Sequence, residues 1–299
     1  MTRPTQSDPA PRSRPPALLL GVGLLLLCPP ALADALPEKS LVPVPSEIEA
    51  SLPEGEALTG RDIYERFLRN RNRESFQQMR VISRDPGGSE QVTRFNVRLQ
   101  DFRNKEDKAT KGILAKMLVQ VSHPFDMRHT AYLMIAKDPG PDDEFAYQPS
   151  QRLVRRVDLK NTSILGTDYT FNDIAFQDIE DADYLRLPDE VIKGTSVYVV
   201  ETNVNETIDV QYHRTLMYLE KNHYVPLRIR YWDDFGVEVK QVTTPHESIR
   251  AFGSLWVATE STMRNLLQRT SSTMRVEDVE TEPDFHPRLF SVSFLHKGK

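Results

Sequence analysis

The residues best placed to do chemistry are an arginine pair and two aspartates. Arg155 and Arg156 stand together in Leu-Val-Arg-Arg-Val, and Asp168 and Asp173 follow within Gly-Thr-Asp-Tyr-Thr-Phe-Asn-Asp. Neighbouring side chains on a strand point to opposite faces, so one guanidinium is directed to each side of the sheet that holds the pair. Arg155 shares its face with Leu153 and Val157. If that face is apolar, a cation there needs a partner, and Asp168 or Asp173 in the same motif supplies the opposite sign. Two readings stay open: an ion pair that fixes the hairpin to the loop after it, or a planar clamp for an anionic group of a ligand or partner.

Other chemistries are poorly represented. There is no Gly-x-Ser-x-Gly elbow, since Gly253-Ser254 lacks the second glycine. No His-Glu-x-x-His occurs, and His123, His129, His213, His223, His246, His286 and His296 are scattered. Gly87-Gly88 reads as a hairpin turn rather than a phosphate loop. Asp178, Glu180, Asp181 and Asp183 lack the spacing and central glycine of a calcium loop and read as a solvated connection. No cofactor, metal or enzymatic activity is expected. Cys28 is the only cysteine, so the chain beyond it has no disulfide or thiolate site.

The elements that must position the arginines read as a hairpin. Phe145 to Tyr147 ends one strand, Pro149 and Ser150 turn the chain, and Arg152 to Val157 forms the next. Upstream, Thr59 to Asn70 reads as a helix: Thr59 caps it, Asp62 complements its dipole, and Ile63, Tyr64, Phe67 and Leu68 share a face. From Phe76 on, the period is mostly two. Phe95, Val97 and Leu99 alternate with Arg94, Asn96 and Arg98, giving one buried and one wet face. Many short strands joined by turns, the last at Ser291 to Leu295, predict a mainly β, α+β fold: an incomplete, strongly curved antiparallel β-barrel with helices across its concave side.

The start of the chain has a different character. Arg3, Arg12 and Arg14 precede an apolar run from Ala17 to Leu27 and an Ala31-Leu32-Ala33 cleavage site, so residues 1–33 read as an export signal peptide and the location as the periplasm. The run is shorter than the roughly 20 residues that span a bilayer. Residues 34–58, with Pro37, Pro43, Pro45 and Pro53, read as an extended lead-in, and 59–299 as one domain. The leader carries three arginines against Asp8, a net +2, so its removal takes the charge from −5 to −7. That argues against nucleic acid as a partner.

The central stretch resembles the periplasmic outer-membrane lipoprotein-sorting proteins of the LolA-like fold. The resemblance is carried by Tyr147 and Pro149, Arg155 and Arg156, then Gly166, Asp168, Tyr169, Phe171 and Asp173, with Thr167, Tyr169 and Phe171 as mild exchanges. It continues weakly through Tyr224-Val225-Pro226-Leu227, Tyr231, Gly236, Lys240, Trp256 and Met263. The resemblance implies a half-barrel whose groove holds acyl chains, with a lipid or acylated protein as cargo. It also implies an inner-membrane exporter of the resistance-nodulation-division type as partner. On this reading Ile63, Phe67, Phe95, Val97, Leu99, Leu153 and Val157 line the groove. Alternation alone favours a filled core instead, and with it a protein-binding signalling or assembly module; an unrecognised hydrolase is a third reading.

Overall fold

The computed structural model describes residues 58–296, apart from 176–177, 206–207 and 209. The expected export signal and nearly all of the proline-rich lead-in lie outside the described residues. Helix α1 spans Gly60–Arg69. Its start is locally encoded: Thr59 Oγ1 accepts from the Asp62 amide at 3.1 Å, and the Asp62 carboxylate accepts from the Thr59 amide at 2.9 Å, which closes a capping box. Ile63 and Tyr64 are its buried face.

The strands then run β1 Glu74–Arg84, β2 Glu90–Asp101, β3 Ile113–His123, β4 Ala131–Lys137, β5 Asp143–Gln148, β6 Leu153–Arg156, β7 Ala182–Ile192 and β8 Thr195–Val204. They continue as β9 Arg214–Glu220, β10 Pro226–Trp232, β11 Glu238–Thr243, β12 Ile249–Phe252, β13 Leu255–Ala258, β14 Glu260–Asn265 and β15 Thr270–Thr281. Thirteen of them form one antiparallel sheet in the order β6-β5-β4-β3-β2-β1-β15-β14-β11-β10-β9-β8-β7, and β12 and β13 pair separately.

This sheet is open, which corrects the expected incomplete, strongly curved barrel. β6 and β7 are its two edges, and it is neither closed nor strongly curled. Alternation specifies which face of each strand is buried, and turns specify neighbours, but neither encodes whether first and last strands meet. Both edges carry features that block further pairing: β6 is four residues long with exposed Arg155 and Arg156, and β7 contains Pro188. A second correction concerns the C-terminus. Ser291–Leu295, expected as a strand, forms the short helix α2, Val292–Leu295, after a 3₁₀ turn at Pro287–Phe290.

Both sheet faces are covered. On one, Met79, Val81, Phe95, Val97, Met117, Val119, Met263 and Met274 pack beneath Leu159, Ile164, Tyr169 and Phe171 of the long connection between β6 and β7. Further along the same face, Ile63 and Tyr64 of α1 pack on Val200, Met217 and Leu219. The other face buries Leu118, Ala131 and Leu133 under Phe290 and Leu295. Strands buried on both sides read as unbroken apolar runs, which is why β3 contains Met-Leu-Val. No helix among the described residues is long and apolar enough to cross a membrane.

Candidate ligand-binding site

The connection after β6 folds back across the sheet and is anchored by the motif that carries Asp168. Leu165 and Gly166 both have positive φ, 52° and 79°, the left-handed pair that turns the chain tightly there. Behind this turn Ile164 donates to the Tyr169 carbonyl at 2.8 Å. Asp168 is buried and accepts at one oxygen from Thr270 Oγ1 at 2.5 Å and at the other from Ser272 Oγ at 2.8 Å. Lys240 Nζ donates to the Asp168 carbonyl at 2.8 Å. Tyr169 reaches Ser261 Oγ at 2.9 Å.

The arginines lie elsewhere. Arg155 and Arg156 are exposed on edge strand β6, and Arg156 Nη2 meets Asp143 Oδ1 at 2.7 Å. Neither arginine pairs with Asp168 or Asp173 among the described residues, because their strand is at the sheet edge while the loop has crossed to β11, β14 and β15. Asp173 instead caps a 3₁₀ turn, accepting from the Thr170 amide at 2.7 Å. Burial pushes its carboxyl above the usual carboxylate range, offset in part by the Thr170 amide and by Lys240.

The expected groove-lining residues divide into separate places. Phe95 and Val97 are fully buried under the loop, with Leu99 and Val157 packed at the margin of that cluster. Ile63 and Phe67 belong to the cluster under α1. Leu153 is 47% exposed. The residues expected to line one groove therefore fall into two neighbouring clusters along one face, with Phe95 and Val97 in filled core.

Between α1 and the loop a cavity of about 160 Å³ remains. Tyr64 and Phe67 of α1, Tyr184 of β7, Met217 of β9, and Ile229 and Tyr231 of β10 line it, with Asp173 and Lys160 at the loop side. Burial raises the Tyr231, Tyr64 and Tyr184 hydroxyls above their ordinary range, so they stay neutral, while Asn172, Asp178 and Asp181 add polar groups to the lining. Thr202 also lines it, and its buried Oγ1 has no hydrogen-bond partner among the described residues. An unpartnered buried hydroxyl is costly unless something polar meets it.

A larger, more open cleft of about 730 Å³ lies beside it. Its walls are the β1–β2 turn, residues 161–170 of the loop, and the β10–β11 and β14–β15 turns. Hydroxyls and amides dominate: Ser83, Asn161, Ser163, Thr167, Gln211, Asn265 and Gln268, with Asp168 and Lys240 at the base. Lys240 is buried and lies over the Tyr212 ring, 5.3 Å from its centroid. Tyr212 lines both spaces and forms the wall between the cleft and the tyrosine-lined cavity. No cluster of three or more His, Cys, Asp or Glu residues is placed to hold a metal among the described residues.

Reasoning from sequence missed this tyrosine wall. Tyr231 enters only through the resemblance, Tyr212 carries no motif, and Tyr184 lies in β7, which proline and acidic residues disguised as loop. No periodic signal joined them, since Tyr64 lies on α1, Tyr184 on β7, Tyr231 on β10 and Tyr212 just before β9.

A family profile described as "Uncharacterized protein" matches residues 114–297. The chain belongs to that family. No curated protein matches it. Among solved structures the fold is shared with a putative outer membrane lipoprotein-sorting protein domain from Vibrio parahaemolyticus, at 21% identity and TM-score 0.70, over 79% of this chain and 98% of that one. A DUF1329 family protein from Desulfovibrio piger matches at 21% identity and TM-score 0.72, over 79% and 97%. A LolA superfamily protein from Nitrosomonas europaea matches at 19% and 0.63, over 80% and 100%. The family member described here thus has the fold of the LolA superfamily.

Proposed function

We propose that the chain is a non-enzymatic periplasmic carrier for a lipid or an acylated protein. The acyl end enters the tyrosine-walled cavity beneath α1, and the polar end rests in the adjoining cleft. The observation that carries this reading is the shared wall: Tyr212 stands between a space whose α1 side is aromatic and aliphatic, with carboxylates at its loop end, and a hydroxyl- and amide-lined cleft, and an amphiphile can lay its two ends on the two sides. The lipoprotein-sorting relative and the LolA superfamily relative lend it support by fold.

Size sets a condition on the mechanism. About 160 Å³ is close to the volume of an engineered cavity that takes benzene, about 150 Å³, so a long chain enters only if α1 or the loop moves outward. The drive is large: at ~0.8 kcal/mol per methylene, a 16-carbon chain fully removed from water gains on the order of 12 kcal/mol, and the outward movement must cost less than that. A resistance-nodulation-division exporter as donor or acceptor rests on the sequence resemblance alone.

The filled cluster under the loop favours a second reading, a protein-binding module that holds no lipid. Native mass spectrometry of protein purified without detergent separates them: co-purified lipid and saturable uptake of a fluorescent fatty-acyl probe support the carrier. Absence of both leaves the module.

A further inference from the structure

Four large apolar side chains stand exposed on two adjacent turns: Phe235 at 91% and Val237 at 48% between β10 and β11, and Leu266 at 43% and Leu267 at 65% between β14 and β15. The turns are held side by side, because β11 pairs with β14 through Lys240 and Asn265 and Leu266 N donates to the Val239 carbonyl at 2.9 Å. Neither turn is loose. Asp233 Oδ1 accepts from the Phe235 amide at 3.0 Å and the Val237 amide at 2.9 Å, and Asn265 Oδ1 accepts from the Gln268 amide at 2.9 Å. The tip amides of Phe235, Val237, Leu266 and Gln268 are thereby engaged within the protein.

We propose that these two tips insert into the surface of a lipid bilayer and seat the mouth of the polar cleft against it. The same turns form the cleft's rim, contributing Asp233, Val239, Asn265, Leu267 and Gln268 to its lining. A membrane is a better fit than a protein partner. Stable protein contacts bury about 800 Å² per side in a continuous patch, whereas here apolar points project beside a polar opening, a shape suited to shallow entry among headgroups and acyl ends. Charges near the tips are mixed, Arg264 and Arg269 against Asp233 and Asp234, so attachment is apolar in origin and needs no anionic lipid.

The test uses the chain without residues 1–33 and vesicles of phosphatidylcholine. Expected are co-sedimentation that changes less than twofold between 50 and 500 mM salt, and quenching of a Phe235→Trp reporter by brominated lipid. The double variant F235S/L266S should bind at least tenfold more weakly with an unchanged melting temperature, since both side chains are exposed and neither lines the cleft. Absence of wild-type binding, or equal binding by the double variant, overturns the proposal. Binding that vanishes at high salt does so too, and points to charge instead. Uptake of an acyl probe in free solution, measured on the same variant, stays at the wild-type level and reports on the carrier reading separately.

Discussion

Asp168 and Ser272 exchange two hydrogen bonds: the Asp168 amide donates to Ser272 Oγ at 2.9 Å, and that hydroxyl donates to Asp168 Oδ2 at 2.8 Å. One fully buried hydroxyl thereby closes a ring between the crossing loop and β15. Ser272→Ala removes both bonds and leaves a buried amide and a carboxylate oxygen short of a partner, so a loss of about 1–3 kcal/mol is expected. Urea denaturation measures it. An unchanged midpoint would mean that the loop is not anchored there.

Gly60 sits against the backbone of β7. A Cβ at this position would lie 2.7 Å from both the Arg186 nitrogen and the Tyr184 carbonyl oxygen, atoms that cannot step aside. Gly60→Ala should therefore lift the start of α1, lower stability by about 1–3 kcal/mol, and speed hydrogen exchange across Ile63 and Tyr64. Exchange confined to its wild-type rate would count against the close seating.

Val97 and Thr202 distinguish filled core from cavity. Val97 is 1% exposed, so Val97→Phe overpacks a full cluster and should cost about 1–3 kcal/mol without altering acyl-probe uptake. Thr202→Val replaces a buried, unpartnered hydroxyl with a methyl of similar shape. Its melting temperature should hold or rise, while affinity for a ligand whose polar atom meets that hydroxyl falls.

The Asp173 carboxyl, raised mainly by burial, gives a signed pH effect. A carboxyl that keeps its proton longer in the folded state stabilises fully below its unfolded pKa, and that contribution drains away as pH rises through the folded value. Asp173→Asn lacks this loss and can still cap the turn. Relative to wild type, the variant should gain stability between about pH 4 and pH 7. Parallel denaturation curves at the two ends of that range would contradict it.

Arg156 and Asp143 form a contact whose arginine is 63% exposed, so Arg156→Ala should change stability by only about 0–1 kcal/mol. A larger loss, or loss of probe binding with an unchanged melting temperature, would give this arginine a role its position does not suggest.

The parts of the fold written in local chemistry were legible. Thr59 and Asp62 mark the start of α1, and the alternation of Phe95, Val97 and Leu99 with polar neighbours marks β2. What escaped was set by distant partners. The residues opposite Asp168 are a lysine, a threonine and a serine far along the chain, and no spacing rule connects them to it. β7 escaped because an edge strand tolerates the proline and charges that argue against a central one. Openness of the sheet was equally hidden, since it depends on the connection after β6 lying across a face rather than joining the two edges.

The seat of α1 on β7 ties one wall of the candidate cavity to the outermost strand of the sheet. Edge strands fray at lower cost than central ones, because only one side of their ladder must open. Admission of a ligand can thus draw on the fraying of a single margin while the twice-covered strands β3 and β4 stay intact. On the carrier reading proposed above, cargo exchange and unfolding would begin at different places, and mutations that loosen the margin would quicken one without hastening the other.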